Sequence, residues 1–190
     1  MPLTPTDEIV RRARAAGTGV GAFNVLQLEH AQAIVAGAEA ADRPVVLQIS
    51  ENTVRYHGAL EPVALASLAV ARAAKVPVAV HLDHAENADL VREAVALGLG
   101  SVMFDAARLP YAENVAATRE VVEHCHRHGV WVEGELGEIG GKGGGGGPGG
   151  GPPPPPGPGA GPGGGAPAGA RGPRPGGGGA GGGGGAPGAT

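Results

Sequence analysis

The sequence has 190 residues and a net charge of −4, and much of its 38 Gly and 18 Pro is crowded toward its end. The charges are scattered, so no basic face argues for nucleic acid or a membrane surface as partner. A single Cys excludes an internal disulfide, and no run is apolar enough for a membrane span or a signal-peptide core, so the expected location is the cytoplasm.

In chain order, Thr4-Pro5-Thr6-Asp7 reads as a helix start, with Thr4 as cap and Asp7 at the positive end of the dipole. That helix runs to about Ala16 and stops at Gly17. A strand over Gly19 to Val25 then precedes a helix from about Leu28 to Ala41. A strand over Val45 to Ser50 precedes a helix from about Pro62 to Ala74, and one over Val76 to His84 precedes a helix from about Ala88 to Leu97. Ser101 to Asp105 precedes a helix from about Tyr111 to His128, and Val130 to Gly137 is a fifth strand. The strand runs are nearly all apolar, as befits strands covered on both faces. Their alternation with helices predicts an α/β fold with a parallel sheet.

From residue 143 onward the chain holds only Gly, Pro, Ala, Arg171, Arg174 and a final Thr190. Leaving out those two arginines gives residues 1–142 a net charge of −6. The division is therefore one domain over 1–142 and a low-complexity tail over 143–190. The tail can bury no core to offset its ordering entropy, so disorder is expected, stiffened locally at Pro152 to Pro156. Its residue types are those of GC-rich codons and its junction falls inside a motif, which points to an out-of-frame reading. An unbroken correct frame through Thr190 on resequencing would overturn that account.

Two architectures fit the repeat: an open doubly wound sheet and part of an eightfold β/α barrel. The first strand ends Gly21-Ala22-Phe23-Asn24-Val25, without the glycine pattern of a dinucleotide-binding turn. In a barrel, chemistry sits at the carboxyl ends of the strands. Those ends are Asn24, Ser50, Asp83 with His84, Asp105, and Glu135, and all five are polar or ionisable. His81 and Asp83 fall on one face of the third strand, and Glu133 and Glu135 on one face of the fifth. Charged groups at the end of a buried strand need a pairing partner, a hydrogen-bond network or a cation. A His among carboxylates suits a divalent metal, and a hydrogen-bonded network without metal is the alternative.

The chain resembles the class II fructose-bisphosphate aldolases over residues 1 to about 142, roughly the first half of such an enzyme. The resemblance rests on Gly21-Ala22-Phe23-Asn24, Val46-Leu47-Gln48-Ile49-Ser50, Val80-His81-Leu82-Asp83-His84-Ala85, Ser101-Val102-Met103-Phe104-Asp105, and Val132-Glu133-Gly134-Glu135-Leu136-Gly137 through Gly140-Gly141. It implies a TIM (β/α)8 barrel, cut short after about five strands. The implied activity is that of a metal-dependent aldehyde-lyase of carbohydrate metabolism and glycolysis. Such an enzyme reversibly cleaves a ketose phosphate, such as fructose 1,6-bisphosphate, to dihydroxyacetone phosphate and an aldehyde. By the same resemblance His84 is a ligand of a catalytic zinc ion. Asp83 is the acid/base at the sugar C4 oxygen, and Asp105 and Glu135 are carboxylates of a second or alternate divalent-metal position. Asn24 and Ser50 contact the substrate, and intact members are homo-oligomers. Schiff-base chemistry needs a lysine at a strand's carboxyl end, but Lys75 precedes the third strand and Lys142 follows the fifth.

The family pattern breaks after Gly140-Gly141. Lys142, Gly143 and Gly144 stand where an acidic residue is expected, and no His occurs after His128 to supply the two later zinc ligands. The 190-residue chain is therefore expected to be inactive as it stands. The competing readings are a non-catalytic fragment and a simple metal-binding module built on His84, Asp105 and Glu135. His124, Cys125, His126 and His128 read as a helix terminus, where His suits the negative end of the dipole, rather than as a metal site. Amide exchange at unprotected rates is the expected result across 143–190. Protection there comparable to that of the strands would overturn the compositional argument.

Overall fold

The computed structural model describes residues 2–137. The tail, Lys142 and the Gly140-Gly141 junction lie outside these residues. Five strands, β1 (Gly21–Asn24), β2 (Val45–Ser50), β3 (Val78–Ala85), β4 (Ser101–Phe104) and β5 (Trp131–Gly134), pair in sequence order, and all four pairings are parallel. Parallel neighbours need a crossover, and helices supply each one. These are α2 (Leu28–Ala41) after β1, α3 (Glu51–His57) and α4 (Glu61–Ala73) after β2, α5 (Ala88–Leu97) after β3, and α6 (Tyr111–Arg127) after β4. A further helix, α1 (Thr6–Ala15), precedes the sheet.

Strand alternation sorts the side chains onto two faces. Val45, Leu47 and Ile49 of β2, Val78, Val80 and Leu82 of β3, and Val102 and Phe104 of β4 join one apolar core with α2, α4, α5 and α6. The other face changes character along the strands. Near their amino ends Val46 and Ala79 meet Ile9 of α1 in a small apolar cluster. Further along come Gln48, His81 and Ser101, and then Asp83. Helix α1 thus covers the apolar end of that face, and the polar end is left for chemistry.

Three details differ from the sequence reading. Thr4 does not cap α1. Its N–H donates to Val78 O at 2.9 Å and its hydroxyl to Pro2 O at 3.1 Å, so the segment before α1 bridges to β3, and Pro5 stands at the cap position. Helix α3 carries no clear sequence signal, because Glu51–His57 is short and has no apolar stripe. Ser50 nucleates it by accepting from Thr53 N–H at 3.2 Å, and Gly58, at φ 81°, ends it in the left-handed conformation that glycine adopts without steric cost. The fifth strand is Trp131–Gly134, shorter than Val130 to Gly137.

Among the described residues β1 pairs only with β2, and β5 only with β4. Both outer strands are largely exposed, and Phe23 of β1 is 53% exposed. The central strand bears the opposite condition, since seven of its eight residues are buried. Leu82→Ala, at a position with no exposed surface, should therefore destabilise the domain by about 2–5 kcal/mol. Urea unfolding would measure this, and a loss no larger than that of a surface substitution would contradict the assigned core.

Candidate functional site at the carboxyl ends of the strands

The sheet order brings the ends of β3, β4 and β5 side by side. Strict alternation would turn His84 toward the helix-covered face, next to Leu82. The β3–β4 register instead shifts between Leu82 and Ala85, and His84 takes φ 50°. A bulge of this kind re-aims a side chain, and the left-handed backbone costs a non-glycine residue of order 1–3 kcal/mol. His84 Nδ1 consequently lies 3.0 Å from Asp105 Oδ2. Asp105 is itself fixed by its N–H donating to Ala85 O at 2.9 Å, while its Oδ1 accepts from Ala107 N–H at 3.2 Å. Glu135 completes the group: ligand-type atoms of His84, Asp105 and Glu135 all lie within 4.8 Å of one another. Asn114 of α6 anchors the third member by donating to Glu135 O at 3.0 Å.

The donor set fits a divalent cation. One imidazole nitrogen and two carboxylates are ligands that zinc and similar ions accept at about 2.0–2.2 Å. Bonds of that length put ligand atoms about 3–4 Å apart, so only small movements separate this arrangement from a first coordination shell. No other group of three such side chains gathers in this way among the described residues. In the α6 histidine cluster the His124 and His128 rings lie 4.8 Å apart, His128 Nδ1 is 2.9 Å from His124 O, and Cys125 is buried.

Asp83 lies beside this group, 8% exposed, and its Oδ1 accepts from Gln48 Nε2 at 3.3 Å. His81 shares its face of β3, as alternation requires. It is not one of the three-ligand group, and its Nδ1 lies 2.7 Å from Ser101 Oγ. Glu133 is more exposed than a covered strand would allow, because β5 is an outer strand among the described residues. Partial desolvation, then the carboxylates of Asp83 and Glu135, push its carboxyl above the usual range against a smaller opposing effect of His84. Ser50 caps α3 and lines a small cavity with Glu51, Arg55, His84 and Glu86. Asn24 is exposed at the end of β1, in register with Gln48.

Three contributors escaped the sequence reading. Gln48 was legible in principle, two residues before Ser50 on the same face. Asn114 carried no signal, because only the approach of α6 to the end of β5 gives its amide a role. Glu51 similarly steadies the loop after β3, its Oε2 accepting from Glu86 N–H at 2.6 Å.

Strand-helix repetition, with ionisable groups gathered at the carboxyl ends of parallel strands, defines the protein as a member of the β/α-barrel class. The chain belongs to the class II fructose-bisphosphate aldolase family, whose model, described as "Fructose-bisphosphate aldolase class-II", matches residues 4–150. It is 45% identical over 134 residues to the fructose-bisphosphate aldolase of Thermus caldophilus, covering 70% of this chain and 43% of that protein. It is 39% identical over 144 residues to that of Staphylococcus aureus (strain N315), covering 75% and 50%. Similar solved structures include the YdjI aldolase from Escherichia coli K12, with a TM-score of 0.66, 29% identity and coverage of 71% and 52%. Another is the fructose-bisphosphate aldolase of Campylobacter jejuni, with a TM-score of 0.59, 25% identity and coverage of 69% and 45%. The chain spans about half the length of the curated relatives it matches.

The buried imidazole gives the site a measurable signature. Burial first, and the neighbouring His84 second, lower the His81 pKa from 6.5 to about 4. Between those values the unfolded chain binds a proton at this position and the folded chain does not. His81 therefore makes stability rise with pH across that window and fall as pH drops through it. His81→Gln should flatten the pH dependence of urea stability between pH 4 and 6.5 by up to about 1.4 kcal/mol per pH unit at its steepest. Equal slopes in the two proteins would show that His81 titrates normally.

Proposed function

We propose that these residues form the amino-terminal share of a metal-dependent aldolase site that cleaves a ketose phosphate such as fructose 1,6-bisphosphate. The observation that carries the reading is the gathering of His84, Asp105 and Glu135 next to the buried Asp83. His84 with the two carboxylates would hold the cation, zinc or a similar divalent ion. When bound, it supplies electrophilic polarisation of the ketose carbonyl.

The chain's own groups divide the remaining work. Asp83 takes the proton of the C4 hydroxyl as the C3–C4 bond breaks, and returns it in the aldol direction. Its low exposure and its hydrogen bond from Gln48 suit a carboxyl group that must be held in one place. Ser50 and Asn24, at the ends of β2 and β1, meet the substrate. Ser50 does so with a hydroxyl already oriented as the α3 cap. A metal-binding module without turnover is the second reading, and it is favoured by the presence of one histidine in the donor group.

Joining residues 1–137 to the carboxyl-terminal half of the Thermus caldophilus relative provides the test. The chimera should cleave fructose 1,6-bisphosphate and lose activity on chelation. Asp83→Ala should lower its turnover by about 10²–10⁴-fold with the metal retained, and His84→Ala should lower metal content as well as activity. The 190-residue chain alone should show no turnover with added zinc, because one histidine and two carboxylates do not supply a complete substrate site. An inactive but folded, metal-loaded chimera would leave the metal-binding reading standing.

A further inference from the structure

Strand β3 carries a buried side chain that the mechanism above does not use. His81 is 3% exposed. Its Nδ1 is 2.7 Å from Ser101 Oγ, which in turn lies 2.6 Å from Thr6 Oγ1 in the first turn of α1. Ser101 and Thr6 are also buried. On the other side of the ring, Nε2 is buried with no hydrogen-bond partner and lies 4.0 Å from Asp83 Oδ1.

We propose that His81 is a positioning residue for Asp83: Ser101, backed by Thr6, holds its ring in place, and the Asp83 carboxylate selects the tautomer that turns an Nε2–H toward it. This inference rests on the reading of Asp83 as the proton-transfer group.

A neutral imidazole has one N–H, and the groups that face its two nitrogens decide where it sits. In one arrangement Thr6 donates to Ser101, Ser101 donates to Nδ1, and the proton is on Nε2. In the other, Nδ1–H donates to Ser101, Ser101 donates to Thr6, and a bare Nε2 lone pair faces a carboxylate. A lone pair directed at an anion in a buried setting is repelled, whereas an N–H dipole is attracted. The hydroxyls accommodate either direction equally, so the carboxylate selects the first. Burial keeps the ring neutral, as the lowered pKa agrees. At 4.0 Å the contact is longer than a hydrogen bond, and a small rotation of either side chain closes it. A neutral donor holds the carboxylate in place without the full charge of an imidazolium, so Asp83 keeps its capacity to take and return a proton. The chain also ties α1, through Thr6, to a side chain next to the acid/base.

Long-range ¹H–¹⁵N correlation spectra of histidine-labelled full chain, recorded near neutral pH, report the tautomer directly. The wild-type chain should show His81 with the proton on Nε2, favoured about tenfold or more. Ser101→Ala and Ser101→Thr should both keep the proton on Nε2, because the carboxylate and not the hydroxyl selects it. Asp83→Asn should shift the population toward Nδ1–H, because the charge that selects the tautomer is gone. A histidine held merely by Ser101 would not respond to Asp83→Asn. A wild-type Nδ1–H tautomer, or a tautomer indifferent to the Asp83 charge, overturns the proposal. If Asp83→Asn fails to fold, the wild-type spectrum and the two Ser101 variants still decide it. An inactive chimera together with the stated tautomers would remove the aldolase reading alone, and an active chimera with the wrong tautomer would remove this inference alone.

Discussion

The constraint on which the structure depends is the burial of β3 in the middle of a parallel sheet. A strand hydrogen-bonded on both sides and covered by helices on one face can carry apolar side chains at little cost along most of its length. Polar groups are tolerated there only with a partner, as His81 has in Ser101, or where the sheet opens at its carboxyl end. Asp83 and His84 stand there, and the strands on either side contribute Ser50 and Asp105 at matching heights. The location of the candidate site thus follows from the same hydrogen-bond ladder that holds the sheet together.

The end of β3 also departs from ideal geometry, and that departure builds the metal-type cluster. Consecutive residues of a regular strand point to opposite faces, so Asp83 and His84 could not both serve one site. The bulge and the positive φ at His84 remove that restriction locally. The backbone strain is held by surrounding contacts, among them the Asp105 N–H bond to Ala85 O and the contact between the His84 and Asp105 side chains. One turn of chain thereby presents a carboxyl group and an imidazole together in different settings: the carboxyl group is buried, and the imidazole belongs to a group suited to a cation.

The outer strands mark the other physical feature of the domain. β1 and β5 are exposed along their length, and apolar side chains such as Phe23 and Leu136 remain at the surface. Exposed strand edges invite pairing with other chains. The relatives are about twice as long as the matched region, and a closed barrel would remove both edges. The helix-covered core of β2, β3 and β4 is already well packed without them, so the part of the site carried by β3 and β4 rests on the most buried strands of the domain.

Much of this was written in the sequence. Nearly apolar runs alternating with helical stretches specified parallel strands and crossover helices, because a strand hidden on both faces keeps a polar residue inside only where a partner meets it and otherwise at its end. The same rule made Asp83, His84, Asp105 and Glu135 legible as a group, and period-two alternation placed His81 beside Asp83. What alternation could not supply was the turn of His84 to the same site as Asp83, since that depends on a register shift between β3 and β4. Nor could it supply the use of Ser50 as the cap of α3, the bridge of Thr4 to β3 in place of a helix cap, or the amide of Asn114 reaching the end of β5. Each of these joins residues distant in sequence or requires a local break in regular geometry. Local pattern fixes which face a side chain should take, and only the packing of whole elements against one another decides where that rule is broken.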